Sequence, residues 1–251
     1  MTILELKSIT KFFGGVCAVD HVSMGFRQGR ITGLIGPNGA GKTTIFNLIS
    51  GFLYPDEGKT CYCGSPITGL APWQIARMGI GRAFQDVHLF MRMKVLDNVL
   101  VGFQRQTGEN PLMALLARPK VNREEKSRYG KTMELLRFVG LADKADDMAE
   151  NLSYGQQKLL SIARLLAADA DVMLLDEPTA GVNPTMVGSL LDVIRKLTQN
   201  GKTVIFIEHN MNVVIDIADW VYFLDEGQVT AFGQPNEVLC DPEVRRAYIG
   251  I

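Results

Sequence analysis

The residues Gly36-Pro37-Asn38-Gly39-Ala40-Gly41-Lys42-Thr43 fit the spacing G-x-x-x-x-G-K-[ST]. Glycines so placed let successive backbone N–H groups turn toward phosphate oxygens, and a helix N-terminus behind them adds a favourable dipole. Lys42 reaches the outer phosphates as a point charge, and the Thr43 hydroxyl is a ligand for Mg²⁺. The chemistry is the grip on a nucleoside triphosphate. A glycine-rich turn ahead of an ordinary helix is the alternative, and the flanking elements argue against it.

Two acidic residues, Asp176 and Glu177, close the apolar run Val172-Met173-Leu174-Leu175. In parallel α/β sheets ligands gather at the carboxyl ends of strands, so both acids are expected near the phosphate loop. Asp176 suits the Mg²⁺ shell, and Glu177 suits the polarising of an attacking water. His209 follows the run Val204-Ile205-Phe206-Ile207 at the same expected edge, in reach of a γ-phosphate oxygen. A histidine at a strand end alone is more often structural. Ser153, with Gln156 three residues on, is a capping box that explains the segment as a helix start. An uncovered helix start carrying Ser153 and Gly155 is also an anion site, one that could serve another molecule's nucleotide.

These side chains need elements to hold them. Ile31-Thr32-Gly33-Leu34-Ile35 reads as a buried strand leading into the loop, and Thr44 to Ser50 has helical spacing with Gly51 as its stop. The runs 172–175 and 204–207 are strands buried on both faces. Between them Asn183 caps a helix opened by Pro184 and stopped at Asn200-Gly201, striped by Val187, Leu190, Leu191, Ile194 and Leu197. Residues 2–35 read as a β-rich opening, with Ile3-Leu4-Glu5-Leu6 and Val22-Ser23-Met24-Gly25-Phe26 each alternating apolar with polar or small residues. From about 92 to 168 the pattern turns helical, which predicts an all-helical subdomain inserted into an α/β core of about 1–91 and 169–251. The aromatic pair Phe12-Phe13 beside Gly14-Gly15 could stack on adenine, although a strand end in the core explains it too. Cys61 and Cys63 are expected on one face of a strand rather than as half of a metal site.

The chain has 251 residues, 47% of them apolar, and a net charge of −1. That balance gives no bulk attraction for nucleic acid. No apolar run approaches the roughly 18–20 residues of a membrane span, and the amino terminus reads as a strand, not a signal peptide. The chain is expected to be soluble.

Taken together the motifs resemble an ATP-binding-cassette (ABC) ATPase: Gly36–Thr43 as Walker A, Gln85 as the Q-loop, Leu152–Gln156 as the signature, Val172–Glu177 as Walker B and His209 as the switch histidine. The resemblance covers nearly the whole chain in order. It implies a single cassette with a P-loop NTPase (RecA-like) α/β core, an antiparallel β subdomain and the helical insertion. It implies ATP and Mg²⁺ as ligands. ATP contacts would come from Phe13, Gly36, Pro37, Asn38, Gly39, Ala40, Gly41, Lys42, Thr43 and Thr44, and from Ser153, Gly155 and Gln156 across a head-to-tail dimer. Glu177, His209 and Gln85 would serve hydrolysis, with Thr43, Gln85 and Asp176 at the metal. Two departures stand out: Tyr154 replaces the usual Gly in the signature, and Asn183 replaces the usual Asp after Walker B.

Softer features (Phe13-Gly14-Gly15, the segment Gln104 to Arg123, Ala180-Gly181-Val182-Asn183-Pro184 and Ala247-Tyr248-Ile249-Gly250) are similar to the ATPase subunits of branched-chain amino-acid importers. The expected partners are transmembrane permease subunits, indirectly a periplasmic or extracellular binding protein, and a second ATPase, which the two departures suggest is a paralogue. No nucleic-acid partner is expected. The expected location is the cytoplasmic face of the inner membrane, as a peripheral subunit. The segment Asp86 to Met93, with Val87, Leu89, Phe90 and Met91, is expected to dock a permease helix or to pack within the insertion. An ATPase for lipid or lipopolysaccharide export and a soluble cassette protein are the competing readings.

Overall fold

The computed structural model describes residues 1–84, 87–104 and 118–249, which form two compact units. The first comprises Met1–Gln85, Asp171–Ala180 and Ile194–Ile251, and the second Asp86–Ala170 and Gly181–Val193.

The first unit contains two sheets. Strands β1 (Thr2–Phe13) and β2 (Val16–Arg27) form a hairpin turning at Gly14-Gly15. β3 (Ile31–Ile35) follows, and then β4 (Glu57–Tyr62) and β5 (Ser65–Pro66) complete an antiparallel sheet in the order β2-β1-β4-β5. The second sheet adds β6 (Ile80–Ala83), β7 (Val172–Asp176), β8 (Thr203–Ile207), β9 (Trp220–Asp225) and β10 (Gln228–Gly233) in the order β10-β9-β3-β8-β7-β6. It is parallel from β9 to β6, with β10 antiparallel at one edge. Every residue of β3, β7 and β8 is buried, as their unbroken apolar runs require.

Sequence alternation marks only parts of β1 and β2. The register slips between Leu6 and Ile9, and Ser8 and His21 adopt left-handed φ angles of 48°. Each slip resets the two-residue period, so one continuous strand looks like fragments. Cys61 and Cys63 also differ from expectation. β4 ends at Tyr62, and Cys63 enters a turn with φ 49°, so Cys61 is buried, Cys63 is exposed and no strand face is shared.

In the second unit helices span Val95–Leu100, Arg118–Phe138 and Tyr154–Ala167. Gly102 permits close packing, since a Cβ there would lie 2.8 Å from the Arg164 carbonyl oxygen. Buried Asn98 ties down the segment before its own helix: its Oδ1 accepts from the Phe90 N–H at 2.9 Å, and its Nδ2 donates to the Phe90 carbonyl at 3.0 Å. The helix Pro184–Gln199 begins in this unit and ends in the first. Asn183 opens it, its Oδ1 accepting from the Thr185 N–H at 3.0 Å.

Candidate nucleotide site

β3 delivers the chain into the phosphate loop, and two glycines there are sterically obligatory. Gly36 has φ 146°, and a Cβ on it would fall 2.0 Å from the Leu224 carbonyl oxygen of β9. Gly41 has φ 98°, and its Cβ would sit 2.5 Å from the Ala18 carbonyl oxygen of β2. The loop is therefore clamped between both sheets and turns at once into the helix Lys42–Ile49. Pro37 is half-buried, Asn38 and Gly39 are exposed and Ala40 is buried. The Lys42 ammonium folds back over the loop and donates to the Gly36 and Pro37 carbonyls, each at 2.8 Å. Burial pushes its pKa down, against the opposing pull of the Glu177 and Asp176 charges. Thr43 is exposed and Thr44 half-buried.

Asp176 ends β7, one strand removed from β3 across β8. Its Oδ2 accepts from Arg82 Nη2 at 2.9 Å, in an ion pair whose side chains are only 6% and 8% exposed. Glu177 turns the chain away with φ 45°, its N–H donating to the Ile207 carbonyl at 3.0 Å. This sharp turn brings its carboxylate to the end of β8, where Oε1 lies 3.1 Å from His209 Nε2. Buried Glu208 holds the same corner. Its Oε1 accepts from both the N–H and the hydroxyl of Thr179, at 2.9 and 2.7 Å, and its Oε2 accepts from the His209 N–H at 3.2 Å. Asn210 then caps the helix Met211–Ile217. Lys42, Asp176, Glu177 and His209 thus share one electrostatic neighbourhood in the first unit. Gln85 lies outside the described residues.

Phe13 ends β1 and is 47% exposed, so the strand-end core alternative is discarded. Its neighbour is pinned: Asp56 Oδ2 accepts from the Phe12 N–H at 2.7 Å and Oδ1 pairs with Lys11 at 3.0 Å. The backbone N–H first, and then the ammonium, hold the Asp56 carboxyl below its usual pKa.

In the second unit Ser153 caps the helix Tyr154–Ala167 with the reciprocal pair expected: Gln156 N–H to Ser153 Oγ at 3.4 Å, and Ser153 N–H to Gln156 Oε1 at 2.9 Å. Ser153 and Tyr154 are exposed. Gly155 is buried, and a Cβ there would meet Val182 Cγ1 at 3.0 Å. Tyr154 lies against Gly181, where a Cβ would fall 3.1 Å from its Cε1. Tyr154 thus packs on the loop that leads into Asn183, whose own Oδ1 is engaged by Thr185. Further along, Phe90 and Met91 are exposed, and the Arg164 guanidinium lies 5.3 Å from the Phe90 ring centre.

Residues 19–180 match the family model described as ABC transporter. The chain belongs to the ABC transporter family. It is an ATPase of that family, as its motifs imply. It is 39% identical over 99% of its length to the high-affinity branched-chain amino acid transport ATP-binding protein LivG of Salmonella typhimurium, covering 98% of that relative. It is 38% identical to BraF of Pseudomonas aeruginosa, named for the same role, with the same coverage. A nucleotide-free ATP-binding cassette from an ABC transporter superposes with a TM-score of 0.86, at 36% identity and full coverage of both chains. A dimeric cassette in a post-hydrolysis state with ADP and Pi superposes with a TM-score of 0.75, at 25% identity over 93% of this chain and 99% of that one.

In this ABC transporter ATPase, sequence reasoning passed over Arg82, Glu208 and Asp56. Each is a charged residue whose partner is distant in the chain, and local spacing carries no sign of it.

Proposed function

We propose that this chain powers import of branched-chain amino acids, binding MgATP at the loop 36–43 and hydrolysing it with Glu177 and His209. The observation that carries the reading is full-length similarity to relatives named for that transport, joined to a complete set of charged groups around the phosphate loop. Lys42 exchanges its two carbonyl bonds for phosphate oxygens. Glu177 takes a proton from the attacking water, and His209 orients that carboxylate and bonds the terminal phosphate. A hydroxyl at Thr43 and a carboxylate at Asp176 are hard oxygen donors suited to Mg²⁺, and no hydrogen bond among the described residues reaches Asp176 Oδ1. The metal would neutralise phosphate charge there, with Gln85 as a further ligand. Phe13 stacks on the adenine.

Ser153, Gly155 and Gln156 complete the site of a second ATPase, so hydrolysis depends on association. The paired departures at Tyr154 and Asn183 favour a paralogous partner. Permease subunits dock against Phe90 and Met91, and a binding protein delivers substrate from outside. Among the described residues no helix is long and apolar enough to cross a membrane, which suits a peripheral subunit at the cytoplasmic face.

Uptake of labelled leucine, isoleucine and valine tests the reading in cells whose only copy carries Lys42→Ala. Uptake of all three should fall to background, and unchanged uptake overturns the import assignment. Native mass spectrometry of the intact transporter should find one copy of this chain beside a second ATPase. Two copies and no paralogue overturn the heterodimer.

A further inference from the structure

Arg82 lies on β6, and its side chain reaches three other parts of the first unit. Nη2 donates to Asp176 Oδ2 at 2.9 Å, at the end of β7. Nη1 donates to Asn47 Oδ1 at 2.6 Å and lies 3.5 Å from Ser50 Oγ, both on or capping the helix that leaves the phosphate loop. The guanidinium carbon sits 4.6 Å from the centre of the Phe84 ring and 5.5 Å from that of Phe46. Its Nε is buried and has no hydrogen-bond partner among the described residues. A largely buried cation that leaves one donor unsatisfied is costly, and an apolar side chain of similar volume would fill the same space with less penalty. Stability alone is a poor reason for an arginine here.

Position supplies a better one. One planar fork ties the carboxylate at the end of β7 to the helix behind the phosphates, and the same group stacks on the residue immediately before Gln85. We infer that Arg82 is a positioning residue for the metal side of the nucleotide site. By occupying Oδ2 it fixes the Asp176 carboxylate in one orientation, with Oδ1 left for the metal shell. By stacking on Phe84 it fixes the chain leading into Gln85. A lysine could match the charge but not the two-pronged geometry or the flat stacking face. The inference rests on the assignment of Asp176 to the metal shell proposed above.

The test uses the full chain, a fluorescent ATP analogue and varied Mg²⁺, with the same titration in EDTA. Arg82→Lys should raise the Mg²⁺ concentration for half-maximal nucleotide binding about tenfold, the scale seen when groups supporting metal ligands are lost, while metal-free binding stays within about twofold. In an Asp176→Asn background the same substitution should add nothing, because Arg82 acts through that carboxylate. A folded Arg82→Lys protein with wild-type Mg²⁺ dependence overturns the role, as does an equal loss of metal-free binding, which marks a merely structural residue. Should Arg82→Lys not fold, Arg82→Gln, which keeps a planar donor, goes through the same titration with the same criteria. Asp176→Asn alone separates the two levels. If it shifts the Mg²⁺ requirement and the Arg82 variants do not, only Arg82 loses its role; if it shifts nothing, the metal assignment falls and this inference with it.

Discussion

His209 Nε2 lies 3.1 Å from Glu177 Oε1, so the two side chains act as one unit although 32 positions separate them in the chain (209 − 177). The contact is made by two strand ends, β7 and β8, which pair in parallel up to Asp176 opposite Ile207. A carboxylate so held is fixed in orientation. Glu177→Gln should therefore keep ATP binding and lose steady-state hydrolysis by at least about 10²-fold, the scale of a positioned general base. His209→Ala should lower hydrolysis too, and adding it to Glu177→Gln should cost little more, because the pair shares one task. Phosphate release in the single and double variants checks both statements. Near-normal release from Glu177→Gln would move the base elsewhere.

Lys42→Ala should abolish tight MgATP binding while leaving the fold intact. The ammonium hydrogen-bonds only the loop's own carbonyls among the described residues, and its burial already disfavours the charged form. Its loss removes the phosphate countercharge without opening the apolar core. Fluorescent-nucleotide titration and a melting curve, measured side by side, separate the two effects.

Glu208→Ala should lower stability by about 1–3 kcal/mol, the cost of leaving buried donors unpaired. The N–H and the hydroxyl of Thr179 both depend on Glu208 Oε1, and Thr179 itself is buried. Glu208→Gln, which keeps one acceptor, should cost less. Denaturant midpoints for the three proteins give the order directly, and equal midpoints would show the clamp to be idle.

Tyr62 gives a pH signature remote from the nucleotide. Burial, with smaller help from the charges of Cys63 and Asp171, pushes its phenol from 10.0 up to about 12. The folded chain thus holds the proton where the unfolded chain has released it. The stabilising contribution is complete below pH 10 and fades as pH rises through about 12. Wild type should lose stability over that window more steeply than Tyr62→Phe. Urea midpoints at several pH values check it, and parallel curves would refute it.

Much of the core was legible because its signals are local. Gly36 to Thr43 carry their spacing within eight residues, and Val172–Leu175 and Val204–Ile207 announce double-sided burial by composition alone. The capping pair Ser153 and Gln156 was legible for the same reason. Arg82 was not: its partner Asp176 is 94 residues away, and nothing in the local spacing of Ile80–Ala83 points to it. Nor were the long β1 and β2, because the slips beyond Leu6 break the alternation that reveals a strand. Phe13 was left open for want of exposure, which only the hairpin's turn at Gly14-Gly15 determines.

The order of strands in the second sheet bears on how the protein is made. β3, formed by residues 31–35, pairs with β8 on one side and β9 on the other, which end at residues 207 and 225. At ribosomal rates of about 5–20 residues per second, its flanks stay open for roughly ten to forty seconds. During that interval a strand buried on both faces in the final fold emerges with no sheet partner of its own. The antiparallel sheet β2-β1-β4-β5 is complete by residue 66 and offers an early scaffold within the first unit. Nascent chains of this cassette should thus be clients for holding chaperones until β8 and β9 have been made, and truncations before residue 203 should aggregate instead of folding in part.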